Sequence, residues 1–181
     1  MAIFFTSDTH FGHAGALTLY RRPFTSVEEM DQAMLDGWNR VVGEKDEVWH
    51  LGDFAIPPKR GLRGPEKASY MTDLLGQLNG QKHLVIGNND PPWVAALADW
   101  SSVQDYREME VEGAYLVLCH YPFRTWNRMA KGALNLHGHS HGRLKAMPRQ
   151  FDVGVDVQGF RPVTLGELVG RVRRPARRVA V

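Results

Sequence analysis

Short apolar runs alternate along this chain with longer amphipathic stretches. Ile3-Phe4-Phe5, Glu47 to Leu51, His83 to Ile86, Tyr115 to Cys119 and Ala133 to Leu136 have the length and the bounded apolar character of strands, and each gives way to Gly, Asp, Asn or His. Ser26 to Val42 carries a helical period instead. Val27, Met30, Met34, Leu35 and Trp38 fall on one face, and Ser26 with Glu29 three residues later forms a capping signature. Glu66 to Leu78 predicts a second helix that stops near Asn79-Gly80; Pro91-Pro92 followed by Trp93 to Leu97 predicts a short third with proline in its first turn. Val103 to Val111 alternates in places and pairs with Tyr115 to Cys119 as a hairpin across Glu112-Gly113. With no repeat, low-complexity block or internal linker, the pattern predicts one α/β domain over residues 1–170, with mixed rather than purely parallel sheets.

Composition changes this picture little. A chain of 181 residues, 43% hydrophobic and 23% charged, can bury a genuine core and excludes disordered, collagen-like and coiled-coil classes. Apolar runs such as Ala114 to Cys119 fall far short of the roughly 20 residues of a membrane span. The start, Met1 to Phe5, lacks the basic region of a secretion signal. A cytoplasmic protein without a membrane partner is expected. The net charge of +2 hides an asymmetry: Arg171 to Val181 hold five of the 22 basic residues and no acid, leaving 17 basic against 20 acidic elsewhere. Residues 171–181 therefore read as a solvated basic tail, with nucleic-acid contact as the alternative.

Eight histidines stand against one cysteine, Cys119. The chain can build neither an intramolecular disulfide nor a thiolate zinc site, so a metal here must be held by imidazole, carboxylate and amide. Such residues gather just past the strand ends, where open α/β sheets bind ligands. Asp8-Thr9-His10 follows the first strand; in an extended segment Asp8 and His10 point the same way and can grip one ion. Gly52-Asp53 follows the second, with a carboxylate able to bridge two cations. Gly87-Asn88-Asn89-Asp90 follows the third, His120 closes the fourth, and His139-Ser140-His141 ends the series. Each piece alone is commonplace. Five in order are not.

Together these residues resemble the calcineurin-like metallophosphoesterases, whose ordered signature is D-x-H, G-D, G-N-H-D, a lone H and G-H-x-H. The likeness spans nearly the whole chain and is greatest to small bacterial members that open with S-D-T-H-F-G-H, here Ser7 to His13, and carry H-Y-P, here His120 to Pro122. The resemblance implies a four-layer α/β/β/α sandwich of two mixed sheets flanked by helices, and a site for two divalent ions (Mn, Fe, Zn, Ni or Co). It assigns Asp8, His10 and His141 to one ion, Asn88, His120 and His139 to the other, and Asp53 as the bridge. The implied activity is hydrolysis of phosphoric esters by a metal-bound water, with a small ester, a nucleotide among the candidates, as substrate. The absence of a cap-sized insertion favours diesters over monoesters.

One position departs from the signature. The family's G-N-H-D histidine, credited with protonating the leaving group or steadying the transition-state charge, is here Asn89, which cannot deliver a proton near pH 7. Altered catalysis is expected, and a binding protein that kept the fold but lost turnover is the first rival. A nuclease using the basic tail is the second. His13 is a substitute acid or a partner of the ligands; Asp90 orients its neighbours. Arg124 reaches a phosphate oxygen or lies on the surface. Arg21-Arg22-Pro23-Phe24 reads as solvated turn, with the cleft rim as the alternative; Trp126 reads as packing, with contact to a leaving group alongside Asn127 as the alternative; His137 reads as a neighbour of the last ligand pair, and His50 and His83 as scaffold.

Overall fold

Strand β1 (Ile3–Thr6) sends neighbouring side chains to opposite faces: Phe4 enters one core and Phe5 another. The same division recurs in β2 (Glu47–His50), with Val48 against Trp49, and in β3 (Gln81–Val85), with Leu84 against Val85. A sheet buried on both faces needs adjacent apolar residues, which is why Phe4-Phe5, Val48-Trp49 and Leu84-Val85 stand side by side in these short strands. The computed structural model describes residues 1–56 and 64–173.

The first sheet has the order β4-β3-β2-β1-β9, where β4 is Ser102–Gln104 and β9 is Val163–Thr164. Its first four strands run parallel, and β9 is antiparallel to β1. The second sheet, β5-β6-β7-β8, joins Arg107–Val111, Ala114–Leu118, Leu134–His137 and Gln150–Asp152, with an antiparallel β5–β6 pair and parallel neighbours after it. Both sheets are mixed. Leu116, Leu118 and Leu136 face Phe5, Trp49, Leu51 and Val85 across the core between the sheets.

Helices α1 (Ala14–Leu19), α2 (Val27–Val41), α3 (Gly64–Gln77) and α4 (Pro92–Ala95) contribute Ala16, Met30, Met34, Trp38, Met71, Leu75 and Val94 to the outer core of the first sheet. α5 (Val155–Gln158) adds Val155 there, and α6 (Leu165–Arg173) sends Leu165 and Leu168 into the core between the sheets. The fourth layer is thin. Among the described residues, Val117 on the outer face of the second sheet is covered by Trp126, Phe123 and a 3₁₀ turn at Met129–Lys131, not by a long helix.

The helix expectations hold closely. Ser26 caps α2 by accepting the Glu29 N–H at 3.1 Å, but Glu29 reaches back to Thr25 rather than to Ser26. Asn39 and Asn79 tie α2 to the end of α3, and α4 begins at Pro92. Two expectations need correction. Val103 to Val111 is not one strand: Ser102–Gln104 pairs with β3, while Arg107–Val111 forms the expected hairpin with β6, so this stretch carries the chain between sheets. Arg22 is not solvated but 5% exposed, for reasons given below. The expected basic tail begins inside α6, and its residues 174–181 lie outside the described residues. No helix of the described residues is long and apolar enough to cross a membrane.

The scaffold histidines differ in their surroundings. His83 stacks on Trp49 and meets Ser102 Oγ at 2.7 Å. His50 is fully buried between Trp38 and Phe54, with Nε2 at 2.9 Å from Thr9 Oγ1, and burial lowers its pKa to about 3. Its unfolded value is near 6.5, so its contribution to stability is full above pH 6.5 and is lost as pH falls toward 3, by about 1.4 kcal/mol per pH unit. Urea midpoints of the EDTA-treated protein should therefore fall below pH 6.5, and His50→Gln should flatten that fall by one proton's worth relative to the parent.

Candidate metal centre

The strands end at one rim of the sandwich, and backbone pairing continues past them. Asp8 N–H donates to Gly52 O at 2.9 Å, His10 N–H to Asp53 O at 3.1 Å, and Phe11 N–H to Phe54 O at 3.1 Å. The loop after β1 is thereby laid along the loop after β2. Asp8 (φ 56°), His10 (φ 50°) and Asp53 (φ 58°) occupy the left-handed region, as do His139 (φ 65°) and His141 (φ 48°). Asp and His are among the residues that tolerate this region best, yet each costs about 1 kcal/mol or more. This corrects the reading of Asp8 and His10 as an extended pair; kinked backbone, not strand alternation, brings them together.

Close approach of the loops requires glycine at two places. A Cβ on Gly52 (φ +91°) would lie 2.5 Å from Gly87 N and 2.7 Å from His120 Nδ1. A Cβ on Gly138 would lie 2.5 Å from Asp8 Oδ2. Asp90 completes the frame: its carboxylate accepts the N–H groups of Asp53 (2.7 Å), Phe54 (2.9 Å) and Gly87 (2.8 Å). It orients the loops and has no oxygen left idle.

Within this frame the structure brings together all seven residues singled out as ligands. Ligand atoms of Asp8, His10 and His141 lie within 4.8 Å of one another, as do those of Asp8, Asp53 and His120. Asp53 lies between two rings, with Oδ2 at 3.7 Å from His10 Nε2 and Oδ1 at 3.7 Å from His120 Nε2. Asn88 Oδ1 is 3.0 Å from His120 Nε2 and 2.9 Å from His139 Nδ1. Asp8, His10, Asp53 and His120 form a buried floor, and Asn88 and His139 an exposed rim.

The electrostatics suit a cation. His120 donates Nδ1–H to Leu51 O at 2.7 Å, so in the neutral ring Nε2 presents a lone pair toward Asn88 Oδ1 and Asp53. His141 donates Nδ1–H to Asp156 at 2.7 Å and turns Nε2 toward Asp8, 3.8 Å away. Nitrogen and oxygen atoms of the ligand-forming type thus converge from several loops on one space. His10 has no hydrogen-bond partner on either ring nitrogen, although it is fully buried, and burial drives its pKa to about 2, with the Arg22 guanidinium and His141 adding to the shift. Burial also lowers the pKa of His120, against the opposing pull of Asp53. Asp8 is pushed well above the ordinary carboxylate range by burial, despite the Ser7 hydroxyl it accepts at 2.7 Å. Buried acids beside neutral imidazoles fit a divalent ion of the nitrogen- and oxygen-liking class.

The other expected residues fall as follows. Asn89 grips Asp53 twice, its backbone N–H donating to Oδ1 and its Nδ2–H to Oδ2, both at 2.7 Å. His13 precedes α1, its ring centroid 5.5 Å from that of His10. Arg124 is exposed on the loop after His120, and no described contact ties it to the cluster. His137 turns Nδ1 to Gly138 O beneath the last ligand pair, and Trp126 packs.

Three residues escaped the sequence reading, and for a fourth, Arg22, the sequence favours solvated turn over cleft rim. Arg22 spans the floor, with a bidentate pair to Asp156 at 2.9 and 3.0 Å and further donations to Asp8 O at 2.6 Å and Thr9 O at 2.8 Å. Asp156 passes this charge to His141. Asp152 accepts the Ser140 hydroxyl and the Gly142 and Gly154 N–H groups, fixing the turn that carries His139 and His141. Tyr20 stacks on His141 with centroids 3.5 Å apart. The signal for the two acids was their setting: Asp152 and Asp156 interrupt the apolar run from Phe151 to Val157, where a carboxylate must be paired.

Comparisons with known proteins bear on the family and the fold. A family profile for the calcineurin-like phosphoesterase superfamily domain matches residues 1–181. The uncharacterized protein MJ1445 of Methanocaldococcus jannaschii is 30% identical over 179 residues, covering 95% of this chain and 92% of that protein. The gene 66 protein of Mycobacterium phage D29 is 28% identical over 188 residues, covering 85% and 87%. Among solved structures, the Aquifex aeolicus protein of unknown function AQ665 superposes with a TM-score of 0.71 at 23% identity, covering 94% of this chain and 98% of its own, a likeness of fold.

Partners of a ligating histidine typically carry 10- to 100-fold in metal affinity. Asp156→Asn should therefore weaken Mn²⁺ binding to the EDTA-stripped protein by that factor in calorimetry, and Arg22→Lys by less. Affinity unchanged in Asp156→Asn would remove His141 from the ligand set.

Proposed function

The chain belongs to the calcineurin-like phosphoesterase superfamily, and from that footing we propose that it is a metal-dependent hydrolase of phosphoric esters with a dinuclear centre. The observation that carries the reading is the convergence of Asp8, His10, Asp53, Asn88, His120, His139 and His141 at one rim, with no hydrogen bond to either ring nitrogen of the buried His10. Asp8, His10 and His141 would hold one ion and Asn88, His120 and His139 the other, with Asp53 placed between the two sets. Two divalent cations, when bound, would polarise the phosphoryl group and activate water.

The chain's own residues do the rest. Asn89 holds both oxygens of Asp53, which fixes the shared carboxylate against rotation. Asp90, Gly52 and Gly138 set the spacing of the loops, and Arg22 with Asp156 aims His141. We assign His13 to the support of His10, since its N–H closes on His10 O at 3.1 Å, and Arg124 to a phosphate oxygen of bound ester. The exposed side of Asn88 and His139 leaves room for a second ester arm, which favours diesters. Asn89 supports one further reading, a binding protein that keeps the centre and has lost turnover.

Hydrolysis of bis-p-nitrophenyl phosphate with Mn²⁺, abolished by EDTA and by Asp53→Asn, is the expected result; no turnover with any divalent metal favours the binding protein. General acid help is worth about 10²–10⁴ in rate. Asn89→His should accordingly accelerate alkyl esters by about 10²-fold and p-nitrophenyl esters far less, because p-nitrophenolate departs without a proton. Equal acceleration of both would show that position 89 does not serve the leaving group.

A further inference from the structure

Beyond the ligands, Asn88 and Asn89 form one end of a groove of about 550 Å³ that runs along the start of α4. Ile56, Pro91, Pro92 and Trp93 line it, and Lys67 of α3 lines it too. Asp90 also borders it, but three backbone N–H groups occupy that carboxylate. The volume is that of a site for a small organic group. Trp93 belongs partly to the core beneath and is only half-buried, so its indole is held by packing while part of its surface faces the groove. Proline at the first helical position keeps this wall stiff without needing a backbone donor. A rigid apolar wall adjoining the metal ligands suits a flat ring better than a flexible or strongly hydrated group. Lys67 adds a preference for a ring with an acceptor or negative charge.

We propose that this groove is a subsite for the organic arm of the ester, and that the arm it takes is a planar aromatic group bearing an acidic or acceptor substituent. The inference rests on the phosphoester reading of the metal centre and extends it to substrate class. The ester's phosphorus lies at the ligands, the ring extends past Asn88 and Asn89 against Trp93 and the two prolines, and Lys67 meets the ring's polar substituent.

Phosphonates, which are not hydrolysed, separate the two readings. In calorimetry with the Mn²⁺-loaded protein, phenylphosphonate should bind about tenfold tighter than methylphosphonate, and 4-phosphonobenzoate about threefold tighter again. Trp93→Ala should erase the first difference, with Trp93→Phe retaining most of it. Lys67→Met, a change on a half-exposed helix position, should erase only the second. Equal binding of the phenyl and methyl compounds to the parent protein overturns the subsite while leaving the metal centre standing. Binding of neither compound, or binding indifferent to EDTA, overturns the phosphoester reading itself and the subsite with it.

Discussion

Two carboxylates held out of water govern the rest of this structure. Asp8 and Asp53 sit at the ends of adjacent parallel strands with almost no exposure, and the imidazoles beside them resist protonation because they are buried too. Buried like charges without a compensating cation are unstable by several kcal/mol. The surrounding chain is organised to tolerate that arrangement. Ser7 and the His139 N–H donate to Asp8, Asn89 donates twice to Asp53, and Asp90 collects the N–H groups of the loop that carries Asp53. What those donors leave uncovered is directed at one space, whose nitrogen and oxygen lining fits the divalent ion we propose.

A second constraint reaches across the chain. Arg22 and Asp156 are separated by 134 residues, yet their bidentate pair joins the loop before α2 to the segment after β8. Through this pair the backbone of Asp8 and Thr9 and the ring of His141 are fixed by one guanidinium. Such a buried pair is costly to desolvate, and it is retained where fully hydrogen-bonded geometry matters more than net stability. Here it sets the separation of Asp8 and His141, which lie far apart in the sequence. Tyr20, stacked on His141, covers a face of the same ring that Asp156 holds at its edge.

Position 89 has a different meaning in three dimensions from the one it has in the signature. As a letter, asparagine is a missing acid. In the structure it is a clamp on the shared carboxylate, and it borders the groove that ends at Trp93. The same side chain therefore holds Asp53 in place and, under the proposed reading, stands where the family signature has its histidine. Under the proposed hydrolase reading, that combination suits good leaving groups, the aromatic arm of the proposed subsite among them.

Much of this protein was legible in its sequence. Short apolar runs marked the strands because a sheet buried on both faces needs apolar residues on both. Ligand-type residues at their ends marked the site because strand carboxyl ends converge on one rim. The helix over Ser26 to Val42 and the hairpin turn at Glu112-Gly113 were equally plain, since caps and turns depend on local chemistry alone. The sequence could not tell that Val103 and Val111 belong to different sheets, because alternation records that a strand is half-buried and not against what. It read Arg22 as solvated because an arginine beside another arginine and a proline carries no local sign of a partner 134 residues away. It brought Asp8 and His10 together by strand geometry, whereas the chain does so by left-handed kinks that only neighbouring loops can hold in place. Residue identity determined which chemistry was available; tertiary structure decided which groups share it, because burial, strain and long-range pairing are properties of neighbours that the order of residues does not contain.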